Sequence, residues 1–191
     1  MYSFTEVRMN NVIDVIKSRR SIRRYLPDPL AQEELDAILE AAAYAPSAHN
    51  YQPWHFTVIR NRGLLDRISR LSKELMAAQD TDWIREMGRK EGFHLFYHAP
   101  AVVVVSMRRD ALSPLVDCSG AIENMLLAAE SLDIGSCWIG LASYWFSLGE
   151  EVARLGLPEG YEPCYAVTLG RKGHRPSRAL PRKAPPPSFI D

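Results

Sequence analysis

Five consecutive residues, Ala101 to Val105, constrain this chain more than any other stretch: AVVVV stands between Pro100 and a charged segment. A β-branched run with no polar residue in alternation predicts a strand buried on both faces, and so the centre of a sheet covered on each side. The run is far too short to span a bilayer. Covering both faces takes a large apolar inventory. With 191 residues, 47% of them hydrophobic and 24% charged, residues 1–191 supply it as one globular domain.

Helical periodicity on either side of the run provides the covering layers. Val12, Ile13, Val15 and Ile16 mark a helix over Asn10 to Ser18 that runs into Arg19-Arg20-Ser21-Ile22-Arg23-Arg24. Leu35, Ile38, Leu39 and Ala42 mark a second helix, with Glu33 and Glu34 in its first turn and Pro46 stopping it. Trp54 to Ile59 reads as a strand, followed by a helix carrying Leu64, Leu65, Ile68, Leu71 and Leu75. Ile122, Met125, Leu126, Ala129 and Leu132 predict a long apolar helix ending near Gly135, the central helix of the fold. Ser147 to Glu150 has the pattern of a capping box with Gly156 as the stop, and Tyr165 to Leu169 is the last strand. Residues 77–98 lose regular periodicity while keeping Trp83, Met87, Phe93 and Phe96, which makes them a candidate lid. Residues 170–191 are basic and proline-rich and read as an extended tail. Helices and strands mix without strict βαβ alternation, and neither GxGxxG nor GxxxxGK[ST] occurs, so Rossmann and P-loop folds are disfavoured.

Charge and cysteine usage exclude several classes of function. Lys plus Arg equal Asp plus Glu at 23 each, a net charge of zero, so no overall field draws the chain to nucleic acid. Cys118, Cys137 and Cys164 are three and widely spaced, which suggests neither a disulfide framework nor a CxxC metal site. A reducing, cytoplasmic setting fits, without a membrane partner, since MYSFTEVRMNN lacks a signal-peptide core.

Three segments hold side chains suited to chemistry. Arg19, Arg20 and Arg23, with Ser21 between them, suit a phosphate monoester, and equally a solvated basic end that complements a helix dipole. Ala45 to His55 crowds Pro46, Ser47, Ala48, Asn50 and Gln52 into a loop between helix and strand, fit to face a ligand or to cap its own backbone. Gly135-Ser-Cys-Trp-Ile-Gly140 is an apolar turn whose glycines admit a flat ligand or another backbone at close range. His94 and His98 have the spacing of a two-histidine metal site on a helix. No nearby Cys, Asp or Glu completes a ligand set, so no metal is expected. The cysteines sit in apolar surroundings and read as packing residues, Cys137 being the one beside a candidate site.

In this order the segments strongly resemble the nitroreductase family of FMN-dependent oxidoreductases. The resemblance rests on an RRSIRxY-type element, an APSAHNxQPWxF loop, a GxCWIG turn and a basic tail, with His98-Ala-Pro100 and Asp117-Cys-Ser-Gly-Ala-Ile-Glu-Asn124 in support. It covers essentially the whole chain. It implies an α+β fold in which a central, mostly antiparallel sheet is surrounded by helices, built as an intertwined homodimer with two FMN sites at the interface. By the same resemblance Arg19, Arg20 and Ser21 hold the phosphate and ribityl chain, and Arg23 reaches the pyrimidine edge. The loop with Pro46, Ser47, Ala48, Asn50 and Gln52 binds cofactor too, Ser47 to Asn50 coming from the partner subunit. Trp138, Ile139 and Gly140 lie by the ring. Arg182 with Lys183 is favoured over Arg171 as the last phosphate contact, and Glu123 stands where an amide is more usual. The implied activity passes a hydride from NADH or NADPH through FMN N5 to a flat acceptor, a nitroaromatic or quinone, by a ping-pong scheme. The flavin carries the chemistry, so no catalytic side chain is expected, and Trp83 and Phe93 cover the acceptor. Alternatives within the resemblance are a flavin-storing or sensing protein, and a same-fold dehalogenase, flavin-destroying enzyme or heterocycle oxidase.

Overall fold

The computed structural model describes residues 11–176, 181–183 and 187–190; Asn10 and parts of the tail expected to run extended lie outside them. The helices are α1 (Asn11–Ser18), α2 (Gln32–Ala43), α3 (Arg62–Ala77), α4 (Asp82–Arg89), α5 (Pro114–Ser131), α6 (Ser143–Phe146) and α7 (Gly149–Ala153). The strands are β1 (Trp54–Ile59), β2 (Ala101–Arg108), β3 (Ile134–Ile139) and β4 (Tyr161–Arg171), joined in one antiparallel sheet in the order β1-β2-β4-β3. The valine run is interior, with Val103 opposite Val58 on one side and Val167 on the other.

Alternation along β2 divides the core into two layers. Ala101, Val103 and Val105 pack with Val167 and Leu169 beneath α2 and α5, through Leu35, Ile38, Ile122 and Met125. Val102 and Val104 pack on the other face with Leu65, Ile68, Phe96 and Trp145. Each such side chain contributes roughly 1.5–3 kcal/mol when fully buried. The result is an α+β sandwich of helices around an antiparallel sheet, as the sequence implies.

Three local expectations are corrected. Gly135 to Gly140 is not a turn: all but the last residue belong to strand β3. Ser147 makes no capping box; Leu148 precedes α7, and the Ser147 hydroxyl donates to the Tyr144 carbonyl at 2.6 Å. The last strand begins at Tyr161 rather than Tyr165, because Pro163 falls at a register shift between Val105 and Ser106, where a missing N–H costs no ladder bond. Residues 77–98, expected as a partly helical excursion, hold one helix, α4, seated on α3 at Gly88.

Candidate functional site

After α1 the chain becomes a strap laid along the edge of the sheet. Ile22 N donates to Ser136 O at 2.9 Å, Leu26 N to Arg171 O at 3.0 Å, and Gly173 N to Arg24 O at 2.8 Å. A Cβ on Gly135 would stand 3.0 Å from Ile22 Cγ2 and 3.2 Å from Gly170 O, so this glycine makes room for the Ile22 side chain and the neighbouring strand, not for a flat ligand. Tyr25 Oη meets both the Ile22 carbonyl and Thr168 Oγ1 at 2.7 Å, which anchors the strap, and burial pushes its phenol well above the ordinary range.

Extended backbone sends successive side chains to opposite sides. Ile22 turns into the core, while Ser21 and Arg23 stay exposed. Arg19, Ser21 and Arg23 line up beside Cys137 of β3 and favour its thiolate, while the thiol itself donates to the Trp138 carbonyl at 3.7 Å. Burial still holds that thiol above its ordinary value, so Cys137 is a packing residue. Arg23 also lies over the Tyr97 ring, 5.9 Å from its centroid, and lines a recess of about 470 Å³ with Phe93, Tyr97 and His98. Among the described residues Arg19 has one weak ionic contact, 3.9 Å to the half-exposed Glu123 of α5. The row thus holds two guanidiniums and a hydroxyl whose strongest local partners are a thiol and a ring.

Arg20 is placed elsewhere. Its Nη1 donates to the carbonyls of Lys17, Ser18 and Arg19 at 2.7, 3.0 and 2.8 Å, so it caps the open C-terminal end of α1. Arg171 is committed as well, forking onto both Glu34 oxygens at 2.8 Å. That pair holds the Glu34 carboxyl below its usual range, helped by the Ala31 amide. Arg182 and Lys183 are exposed and outside regular structure.

The polar loop after α2 is a 3-10 turn at Ala48–Asn50 with His49, Asn50 and Gln52 at φ 50°, 56° and 45°, a left-handed run that side chains must hold in place. Asp117, a buried residue at the start of α5, accepts the Ala48 amide at 3.2 Å, and Ser47 Oγ accepts the Gln52 amide at 3.0 Å. Asp117 is a functional anchor that local sequence pattern does not reveal, since it lies 69 residues from its partner. Six residues separate it from Glu123, about 9 Å along α5 and about 240° around it. Within one chain, therefore, Ser47, Ala48, Asn50 and Gln52 stand on a different side of α5 from the Arg19 row. Trp138 and Ile139 also part: Trp138 packs toward α5 against Tyr165, and Ile139 is buried in the opposite layer with Trp145. Gly140 has open space where a Cβ would go. Pro46 is exposed beside the loop, Phe93 joins the Arg23 recess, and Trp83 is 56% exposed on α4 outside that recess.

The histidine pair gains a partner the sequence hid. Asp66 of α3 lies 3.2 Å from His94 Nε2, so Asp66, His94 and His98 cluster. His94 Nδ1 accepts the amides of Phe96 and His98 at 3.1 and 3.2 Å. That nitrogen is therefore unprotonated, and the ring proton sits on Nε2 toward Asp66. A metal on Nε2 would need the proton on Nδ1, against two donors, so the cluster is a neutral histidine held by hydrogen bonds. Burial and His98 lower the His94 pKa to about 4.

Comparison with known proteins places this arrangement. The chain resembles a nitroreductase with bound FMN from Bacteroides fragilis at 37% identity and TM-score 0.82, covering 96% of this chain and 98% of that one. A nitroreductase with bound FMN from Desulfitobacterium hafniense is 32% identical with TM-score 0.81, covering 96% and 100%. An FMN reductase [NAD(P)H] of Bacillus subtilis is 28% identical over 186 residues, 92% of this chain and 72% of the relative. The model of the nitroreductase family matches residues 16–171, so the chain belongs to that family.

Proposed function

We propose that this protein is an FMN-dependent oxidoreductase that takes a hydride from NADH or NADPH and passes it to a flat acceptor of the nitroaromatic or quinone kind. The observation that carries the reading is the row of Arg19, Ser21 and Arg23, fixed by the strap and offering charge-assisted donors with no strong carboxylate partner among the described residues. Such a row fits a flavin nucleotide: guanidinium forks and a hydroxyl suit the phosphate and ribityl oxygens, and a cation suits the pyrimidine edge. When bound, the flavin supplies the hydride chemistry. The chain's residues bind it, orient it and set the charge around it. Arg23, preorganised over Tyr97, favours negative charge at the pyrimidine side.

Ser47, Ala48, Asn50 and Gln52 complete the site from a second copy of the chain in a homodimer, which answers their place across α5. Trp138, Ile139 and Gly140 border the ring through backbone, since the two large side chains point to opposite layers. Arg182 and Lys183 supply the last phosphate contact, Arg171 being held by Glu34. Phe93, at the Arg23 recess, and Trp83, exposed on α4, bear on acceptor choice, and donor and acceptor use the same face in turn. That arrangement gives ping-pong kinetics.

The test is the visible spectrum of the purified protein under anaerobic NADPH and then NADH. A flavin band that bleaches with one donor and returns on adding a nitroaromatic or a quinone supports the reading. Colourless protein that takes up no FMN overturns it, and a band that never bleaches leaves flavin storage as the better account.

A further inference from the structure

Three recesses meet at His94 and His98. One, of about 360 Å³, lies between the strap, α2, α3 and the turn before β2, and none of Arg19, Ser21 or Arg23 lines it. Its floor is apolar, with buried Leu30, Leu35 and Leu65 beside Pro100. Arg60 and Arg62 stand on its wall. Arg60 donates to the neutral Gln32 Oε1 at 3.1 Å, and Arg62 has no ion-pair partner among the described residues. Arg62 is also the first residue of α3, where the helix dipole disfavours a cation and no acidic residue in the first turn compensates. A locally unfavourable, unpaired charge facing an apolar cleft is the kind of inconsistency that marks a site. The left-handed backbone at Tyr97 and His98, φ 53° and 56°, brings His98 to the same wall. Asp66, the one carboxylate lining the cleft among the described residues, is hydrogen-bonded by His94.

We propose that this cleft binds a small hydrophobic monocarboxylate, with its apolar body on Leu30, Leu35, Leu65 and Pro100 and its carboxylate on Arg62, flanked by Arg60 and His98. The volume suits one ring or a branched aliphatic chain. A guanidinium fork matches a carboxylate in plane, and the apolar floor favours a ligand with a greasy body over inorganic phosphate. The inference does not rest on the flavin reading, because protein that proves colourless gives the same comparison.

The experiment is calorimetric titration of benzoate, and of its neutral isostere benzamide, into the purified protein and its Arg62→Glu and Arg62→Gln variants. Arg62 is exposed, and unchanged circular dichroism establishes that the variants fold. Benzoate is expected to bind about tenfold or more tighter than benzamide, and Arg62→Glu to weaken benzoate by about tenfold or more while leaving benzamide alone. Arg62→Gln falls between. Equal affinity for the two probes, no saturable benzoate binding below about 10 mM, or an affinity indifferent to Arg62→Glu overturns the proposal. So does benzoate binding that shifts the flavin band, which would put the ligand on the ring instead.

Discussion

Four arginines in one hexapeptide look alike in sequence, and hydrogen bonding separates two that the resemblance assigned to cofactor. Arg20 turns one terminal nitrogen to the last carbonyls of α1, whereas Arg23 faces a thiol and a ring. A charge-assisted contact contributes about 1.5–3 kcal/mol. Arg23→Ala is therefore expected to weaken FMN retention by roughly ten- to a hundredfold, and Arg20→Ala to lower thermal stability with a much smaller effect on flavin. Equilibrium dialysis of FMN beside a melting curve distinguishes them, and reversal of the two effects would reassign the row. His94 gives a pH dependence whose sign follows from its tautomer. Its pKa falls from 6.5 to about 4 on folding, so below 6.5 the unfolded chain takes up the proton first. Stability from this group is present above pH 6.5 and declines until about pH 4. In urea melts, the advantage of wild type over His94→Gln should shrink between pH 7.5 and 5; a gap constant over that range would mean His94 is not held neutral.

Elements were legible where their own periodicity decides their burial, and illegible where a distant segment does. β1 matches its expected limits, and the valine run lies where an unbroken apolar stretch must. β3 was missed because two glycines and a cysteine read as a break, when Gly135 is small only to admit Ile22, 113 positions earlier. The same physics hid Asp66 from His94 and Asp117 from Ala48, while the row itself was visible as composition but not as an alternation that turns Arg20 toward the carbonyls of α1. Close approach also decides how α4 sits. A Cβ on Gly88 would stand 2.4 Å from Ala77 N and 2.8 Å from Lys73 O, both backbone atoms, whereas one on Gly135 meets a side-chain methyl at 3.0 Å. Gly88→Ala must push α4 off α3, and overpacking of this kind costs about 1–3 kcal/mol. Gly135→Ala should cost less because Ile22 can yield. Denaturant midpoints of the two variants give the order directly, with the opposite ranking excluding this account of the helix crossing.

The whole molecule leaves apolar surface that one chain does not cover. Leu112, before α5, and Val116, in its first turn, are 67% and 72% exposed, and none of the described residues of α1 is buried, Val12 and Ile16 being 62% and 48% exposed. In the proposed homodimer, a two-fold pairing through these helices would cover both and bring each Ser47 loop toward the other chain's strap. Val116→Asp should then yield monomers that lose flavin although Arg19, Ser21 and Arg23 are untouched. Mixing subunits makes the sharing of sites explicit. Arg23→Ala and Ser47→Ala homodimers each carry two defective sites. If a site takes Arg23 from one chain and Ser47 from the other, a heterodimer of the two variants has one site with both residues intact and one with neither. Co-expressed chains with different tags, purified on both, should regain about half the flavin of the wild-type dimer, because pairing across the interface restores one site in two. If both residues serve the same chain's site, each site keeps one defect and the heterodimer binds no better than either parent, which would confine the site to a single subunit.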